Sequence, residues 1–230
     1  MSITKKISLL SFALLFGGLY AETKFEPIEL TNEKIALTDE IVSKISKEHF
    51  YQKKNIKELD AQYVSKLLDR LDPNKIYFTR AEVSEFEAQN IIDTSFDLSI
   101  GYKIINNYFL KLEIATQHQI SVIQNGSFDF TGDELIDVFP DDNEWVDDIS
   151  QLHEKWTAIA KNDLLSLMLS KENVDHQENL IKRYKRRLRS ISQRNEEDVY
   201  SIAINSITNL FDPHSSYLSP KSAEDFDMQM

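Results

Sequence analysis

Apolar side chains along this chain recur mostly at intervals of three and four residues, the period of an amphipathic helix. Between Thr31 and Phe50, Leu37, Ile41 and Ile45 are spaced by four with Val42 beside them. Tyr63, Val64, Leu67, Leu68 and Leu71 define a second helix, and Val83 and Phe86 a shorter third one that fades near Asn90. Phe96, Ile100, Ile104, Tyr108, Leu112, Ile120 and Ile123 line one broad face of a long helix over about Ser95 to Gln124, with no proline inside it and Gly126 to end it. Helix resumes near Ile149, with Leu152, Trp156, Ile159 and Ala160 on one side, and reaches Met168. Two more follow. Gln177 to Gln193 turns Leu180, Ile181, Tyr184, Leu188 and Ile191 inward, and a helix capped by Asn195 turns Val199, Ile202, Ala203, Ser206, Ile207 and Leu210 inward. The pattern fails between Phe128 and Asp148, where Phe128-Asp129-Phe130 reads as a short extended piece and Asp141, Asp142, Asp147 and Asp148 surround Trp145. A loop tied down by aromatic side chains is expected there. The expected fold class is all-α, a multi-helix domain.

Two of these helices end on the same device. Leu71-Asp72-Pro73-Asn74-Lys75-Ile76-Tyr77-Phe78-Thr79-Arg80 runs on to Phe86, and Phe211-Asp212-Pro213-His214-Ser215-Ser216-Tyr217-Leu218-Ser219-Pro220 runs on to Phe226, every equivalent pair lying 140 positions apart. Proline fixes its own φ and pushes the residue before it out of the helical region, so Pro73 and Pro213 each stop a helix at the preceding aspartate. Asp72 and Asp212 suit a turn because a short carboxylate reaches nearby backbone amides. Tyr77 and Tyr217, each followed by a large apolar residue, supply an anchor. Thr79 and Ser219 are placed to cap the next helix: Thr79-Arg80-Ala81-Glu82 fits a capping box, and Pro220 occupies the favoured first helical position. The sequence therefore predicts two Asp-Pro helix-turn-helix corners.

The second corner, Asp212-Pro213-His214-Ser215-Ser216-Tyr217-Leu218-Ser219-Pro220 with Phe226, resembles the segment that precedes the PDZ domain in carboxy-terminal processing proteases. Arg183-Tyr184-Lys185, Arg186-Arg187-Leu188, Asn195-Glu196-Glu197-Asp198-Val199-Tyr200-Ser201 and Phe211 are similar to the periplasmic tail-specific branch of that family, as are Leu71-Asp72 and Phe128-Asp129-Phe130-Thr131-Gly132. The resemblance covers nearly all of the chain after residue 30 and implies the amino-terminal helical domain of such a protease. Family members are serine endopeptidases whose Ser nucleophile and Lys base lie beyond the PDZ domain. No residue here matches those positions, and this chain is expected to be truncated before its PDZ and catalytic domains and inactive alone. The resemblance further implies periplasmic protein substrates and a lipoprotein adaptor as partners. The alternative is a stand-alone periplasmic helical module for protein-protein interaction.

Residues 1–21 are set apart as a signal peptide: Lys5 and Lys6 precede an apolar run from Ile7 to Leu19, and Leu19-Tyr20-Ala21 offers a cleavage site. That run is shorter than the roughly twenty apolar residues a membrane span needs. The expected organisation is a helical domain over 22–212 and a connector over 213–230, in a periplasmic product without a stable span after cleavage; an uncleaved anchor, and so association with the inner membrane, is the other reading. With 41% hydrophobic side chains in 230 residues the chain is long enough for one sizeable core, and only five glycines and five prolines interrupt it. The absence of cysteine excludes disulfides, thiolate metal sites and a lipidated cysteine. A net charge of −12 argues against general nucleic-acid binding.

Lys182-Arg183, Lys185-Arg186-Arg187 and Arg189 concentrate six positive charges in this acidic chain. They read best as a solvated face, or one salt-bridged to neighbouring helices, with a partner or anionic surface as the sharper reading. The acids around Trp145 lack the alternating ligands, central glycine and closing glutamate of an EF-hand. The five histidines form no zinc pair, since His153-Glu154 is not followed by the second histidine of a metalloprotease helix. No metal or cofactor is implied. Asp212, His214 and Ser215 or Ser216 are triad residue types, but neighbours in one turn seldom project to a common point, so turn and cap chemistry is the preferred role.

Overall fold

The computed structural model describes residues 24–48, 55–90, 96–132, 144–170, 175–219, 222–224 and 228. The protein is all-α. Its helices are α1 (Asn32–Glu48), α2 (Ile56–Leu71), α3 (Arg80–Gln89), α4 (Leu98–Asn125), α5 (Ile149–Met168), α6 (His176–Ser192) and α7 (Glu196–Phe211). Their starts are legible in side-chain chemistry, because Asn55, Thr79, Asp97, Asp148, Asp175 and Asn195 each accept a hydrogen bond from the first turn they precede. Thr79, Asp148 and Asn195 form full capping boxes with Glu82, Gln151 and Asp198.

The spine is α4, whose 28 residues span about 42 Å at the usual helical rise. Along its first half Ile100, Tyr102, Ile104, Ile105 and Phe109 join α2, α3 and α7 in the main core, which also takes in Phe25. Along its second half Ile123 meets Ala160 and Leu164 of α5 and Leu180 and Tyr184 of α6 in a smaller core. A third cluster, Ala115 with Leu152 and Trp156, lies between them. Being surrounded, α4 buries more than one stripe. Of the apolar positions expected from spacing it buries Ile100, Ile104 and Ile123, leaves Tyr108, Leu112 and Ile120 half-buried, and adds Tyr102, Ile105, Phe109, Glu113, Ala115, Thr116 and Gln119.

Gly101 has a packing reason. A methyl at that position would overlap the Tyr63 hydroxyl, so the missing side chain lets α2 approach the α4 backbone. Just ahead of α4, Phe96 takes a left-handed φ of 58°. Its ring sits 6.0 Å from that of Tyr63 and 6.1 Å from that of Phe211, so core packing holds a backbone conformation that a bulky residue rarely adopts.

The inward seam of α1 differs from the expected one. Leu37, Ile41 and Ile45 are only half-buried, and the buried positions are Lys34, Thr38 and Val42. Helix α7 offers polar partners on this side: Lys34 meets Glu197 at 2.7 Å and lies over the Tyr200 ring, and the Thr38 hydroxyl meets the Tyr200 hydroxyl at 3.2 Å. A hydrophobicity pattern cannot register such a seam, because it scores its central residues as solvent-facing.

Candidate functional site

The first corner is built around a buried carboxylate. Asp72 closes α2, and its own N–H still donates to Leu68 at 2.9 Å. Its Oδ1 then accepts the N–H of Ile76 at 2.8 Å, while Oδ2 accepts those of Tyr77 at 2.8 Å and Phe78 at 3.2 Å. Three consecutive amides converge on it because Lys75 adopts a left-handed φ of 49°, which curls the chain back over the end of α2. Burial pushes the Asp72 carboxyl above its ordinary range, against the opposing pull of these amides and of Lys155. Pro73 sits in the turn, Thr79 caps α3, and Glu82 returns to the Thr79 N–H at 2.9 Å.

Other elements grip this corner from outside. The Trp156 indole donates to the Ile76 carbonyl at 2.6 Å, and Lys155 donates to the Lys75 carbonyl at 3.1 Å. Tyr77 packs edge-on against Tyr108, and Phe78 against Phe86 and Trp145. The irregular segment before α5 is joined here too. Thr79 pairs with Val146 in an isolated parallel bridge, and Arg80 reaches Glu144 at 2.8 Å and Asp147 at 3.1 Å. Trp145 is thus the aromatic tie of that segment, while Asp141 and Asp142 lie outside the described residues. Among the described residues no group of three or more His, Asp or Glu side chains is placed to hold a metal ion.

The second corner starts from the same residues and is built differently. Asp212 ends α7 and accepts the N–H of His214 at 3.0 Å, and the Ser215 N–H donates to the Asp212 carbonyl at 2.9 Å. Ser215 occupies the place of Lys75, yet among the described residues only Lys75 and Phe96 combine a side chain with positive φ, so the chain leaves this turn in another direction. Polar side chains of α7 take over. Asn205 Oδ1 accepts the Tyr217 N–H at 2.7 Å, and Thr208 and Asn209 donate to the Ser215 carbonyl at 3.0 and 2.9 Å. Tyr217 packs edge-on against Tyr200, and burial, followed by the neighbouring Glu197, pushes its phenol up to about 12. Ser219 accepts the Ser222 N–H at 3.1 Å, as an N-cap does, while Pro213 lies exposed in the turn. Pro220 and Phe226 lie outside the described residues.

The second corner therefore packs on α7, and the first on α3, α4 and α5. The triad residue types at the second corner make turn contacts: the Asp212 carboxylate accepts the main-chain N–H of His214, and the Ser215 N–H and carbonyl meet Asp212 and Thr208. The residues that sequence reasoning missed are Asn205, Thr208, Asn209, Lys155 and Trp156, which hold the corners from neighbouring helices. Their sequence signal was limited to polar residues one turn before the second Asp-Pro.

Comparison with known proteins gives these corners a context. The family model "Tail specific protease N-terminal domain" matches residues 41–221, a span that contains both corners. The tail-specific protease of Haemophilus influenzae is 24% identical over 207 residues, covering 86% of this chain and 29% of that relative. The chain thus spans less than a third of the relative's length. With most of its helical body, from α1 through the second corner, falling inside the family model, the chain belongs to the tail-specific protease N-terminal domain family.

Proposed function

We propose that this chain is the helical scaffold and substrate-access domain of a tail-specific serine protease that is exported to the periplasm. The observation that carries the reading is the family match over 41–221, joined to a relative of which the chain covers only 29%. The architecture supports it: α7 runs directly into a corner whose exit is fastened by Asn205, Thr208 and Asn209, giving a following segment a defined point of departure. Peptide cleavage would then be supplied by protein beyond this sequence, and protein substrates and an adaptor would meet the helical surface. Among the described residues no helix is long and apolar enough to cross a membrane. The alternative is a stand-alone periplasmic helical interaction module.

The deciding experiment is the intact mass of the native product, captured from periplasmic extract with an antibody against the helical domain. A species much heavier than the 26.7 kDa chain supports the scaffold of a longer protease. A species at or below that mass overturns it in favour of the independent module.

A further inference from the structure

Helix α6 divides its charge unevenly. Its inner face buries Leu180, Tyr184 and Ile191 against α4 and α5. Arg187 turns inward, donating to Gln119 at 3.1 Å and covering the Tyr184 ring, and Tyr184 donates to Asp163 at 2.8 Å. The outer face exposes Lys182, Arg183, Arg186 and Arg189. Lys182 pairs with Glu178 on the same helix at 2.8 Å. Arg183, Arg186 and Arg189 meet no carboxylate among the described residues.

This arrangement is unfavourable on its own. Residues three apart on a helix are neighbours, so three arginines at that spacing repel, each pair costing a few tenths of a kcal/mol by the usual scale of about 0.2–0.5. The molecule carries 38 acidic residues against 26 lysines and arginines, so carboxylates to neutralise them are abundant, yet none among the described residues meets this ridge. An external anion would relieve the repulsion and gain charge-assisted contacts, which the planar guanidinium makes in bidentate form with carboxylates.

We propose that the Arg183-Arg186-Arg189 ridge is a docking surface for an acidic polypeptide segment, best fitted by a helix presenting Asp or Glu at three- and four-residue spacing. The ridge extends about 9 Å along the helix at the standard rise, the reach of two turns of a partner helix. A broad anionic plane fits less well. Exposed Glu178 precedes the ridge and Asp198 of α7 follows it, and the rest of the surface carries a net negative charge. A plane would meet those charges as well, whereas a narrow segment can follow the line of the arginines. The inference does not depend on the length of the native product, so the mass measurement above and the test below fail independently.

The test titrates the full chain into a fluorescein-labelled helical peptide carrying a glutamate ladder, with the glutamine version of the peptide and vesicles of anionic phospholipid as comparators. The expected result is binding of the glutamate peptide only, at least tenfold weaker after Arg183→Gln/Arg186→Gln/Arg189→Gln and weaker as salt rises. Removing equal charge type from α2, with Lys66→Gln/Arg70→Gln, should change affinity less than threefold. Circular dichroism melting of the triple variant should match the parent or rise slightly, since exposed like charges have been removed. Equal binding by parent and triple variant, equal loss in the α2 variant, or retention on vesicles without peptide binding would each overturn the proposal.

Discussion

The indole N–H of Trp156 donates to the carbonyl of Ile76 at 2.6 Å across 80 residues of sequence. Through this bond α5 fixes the loop whose amides converge on Asp72, so the first corner is a tertiary structure rather than a local turn. The second corner, fastened from its own preceding helix, is mostly local. This difference gives the two Asp-Pro sites unequal energetic weight.

Asp72→Ala should be the more damaging of the two equivalent substitutions. It strands three amides, two half-buried and one fully buried, and a loss of about 3 kcal/mol follows from the usual cost of unsatisfied donors. Asp212→Ala should cost about 1 kcal/mol, since α7 side chains keep their hold on the exit. Asp72→Asn should not rescue, because its NH2 group would face amides that also donate. Urea unfolding of the three variants checks the order; equal losses at the two sites would refute the distinction.

Lys75 pays for convergence on Asp72 with a left-handed backbone. Lys75→Gly should raise stability by about 0.5–1 kcal/mol, the strain relieved being offset in part by a more flexible unfolded chain. Lys75→Val should lower it, as a β-branched residue tolerates that φ least. Thermal melts that rank these two variants the other way would remove strain from the account.

Gly101 and Tyr63 should behave as a coupled pair. Gly101→Ala forces the Tyr63 ring to move and should cost about 1–3 kcal/mol, the range of core overpacking. The Tyr63 hydroxyl is buried and has no hydrogen-bond partner among the described residues, so Tyr63→Phe should be neutral or stabilising. In the double variant the alanine should cost at least 0.5 kcal/mol less, a coupling of ordinary size for residues in contact. Strict additivity would refute the contact.

Acidification should act through His118. Burial, and then the His153 ring stacked on it at 4.8 Å, hold its pKa below the ordinary 6.5, while its Nε2 meets the Thr157 hydroxyl at 2.8 Å. The unfolded chain then binds the proton more readily than the fold. This contribution to stability is present above 6.5 and declines as pH falls below it towards the depressed value. His118→Gln should flatten that part of the pH profile, and the His118 ring resonance should titrate below the ordinary 6.5.

Most of the helical order was legible because apolar period, Asx caps and Asp-Pro stops agreed. Asn195 as a cap and Thr79-Glu82 as a capping box are local chemistry, readable from a few residues. What escaped was chemistry between helices. Lys34 and Thr38 look solvent-facing until Glu197 and Tyr200 are brought opposite them, and two identical Asp-Pro signatures do not disclose that only one is clasped by Trp156 and Lys155. The basic residues of α6 read as a solvated or salt-bridged face, and the structure leaves Arg183, Arg186 and Arg189 exposed with no carboxylate among the described residues, the solvated form of that reading.

The polar seam between α1 and α7 bears on the order of events during synthesis. Thr31 bonds Glu196 at 2.8 Å and Lys34 meets Glu197 at 2.7 Å, pairs separated by 165 and 163 positions. A growing chain presents α1 long before its partner exists, and pulse-labelled amide exchange during refolding should find α1 among the last helices protected. A lysine and a threonine can wait in water through that interval at little cost. An equally buried pair of leucines would spend it as a sticky surface, open to any other unfinished chain.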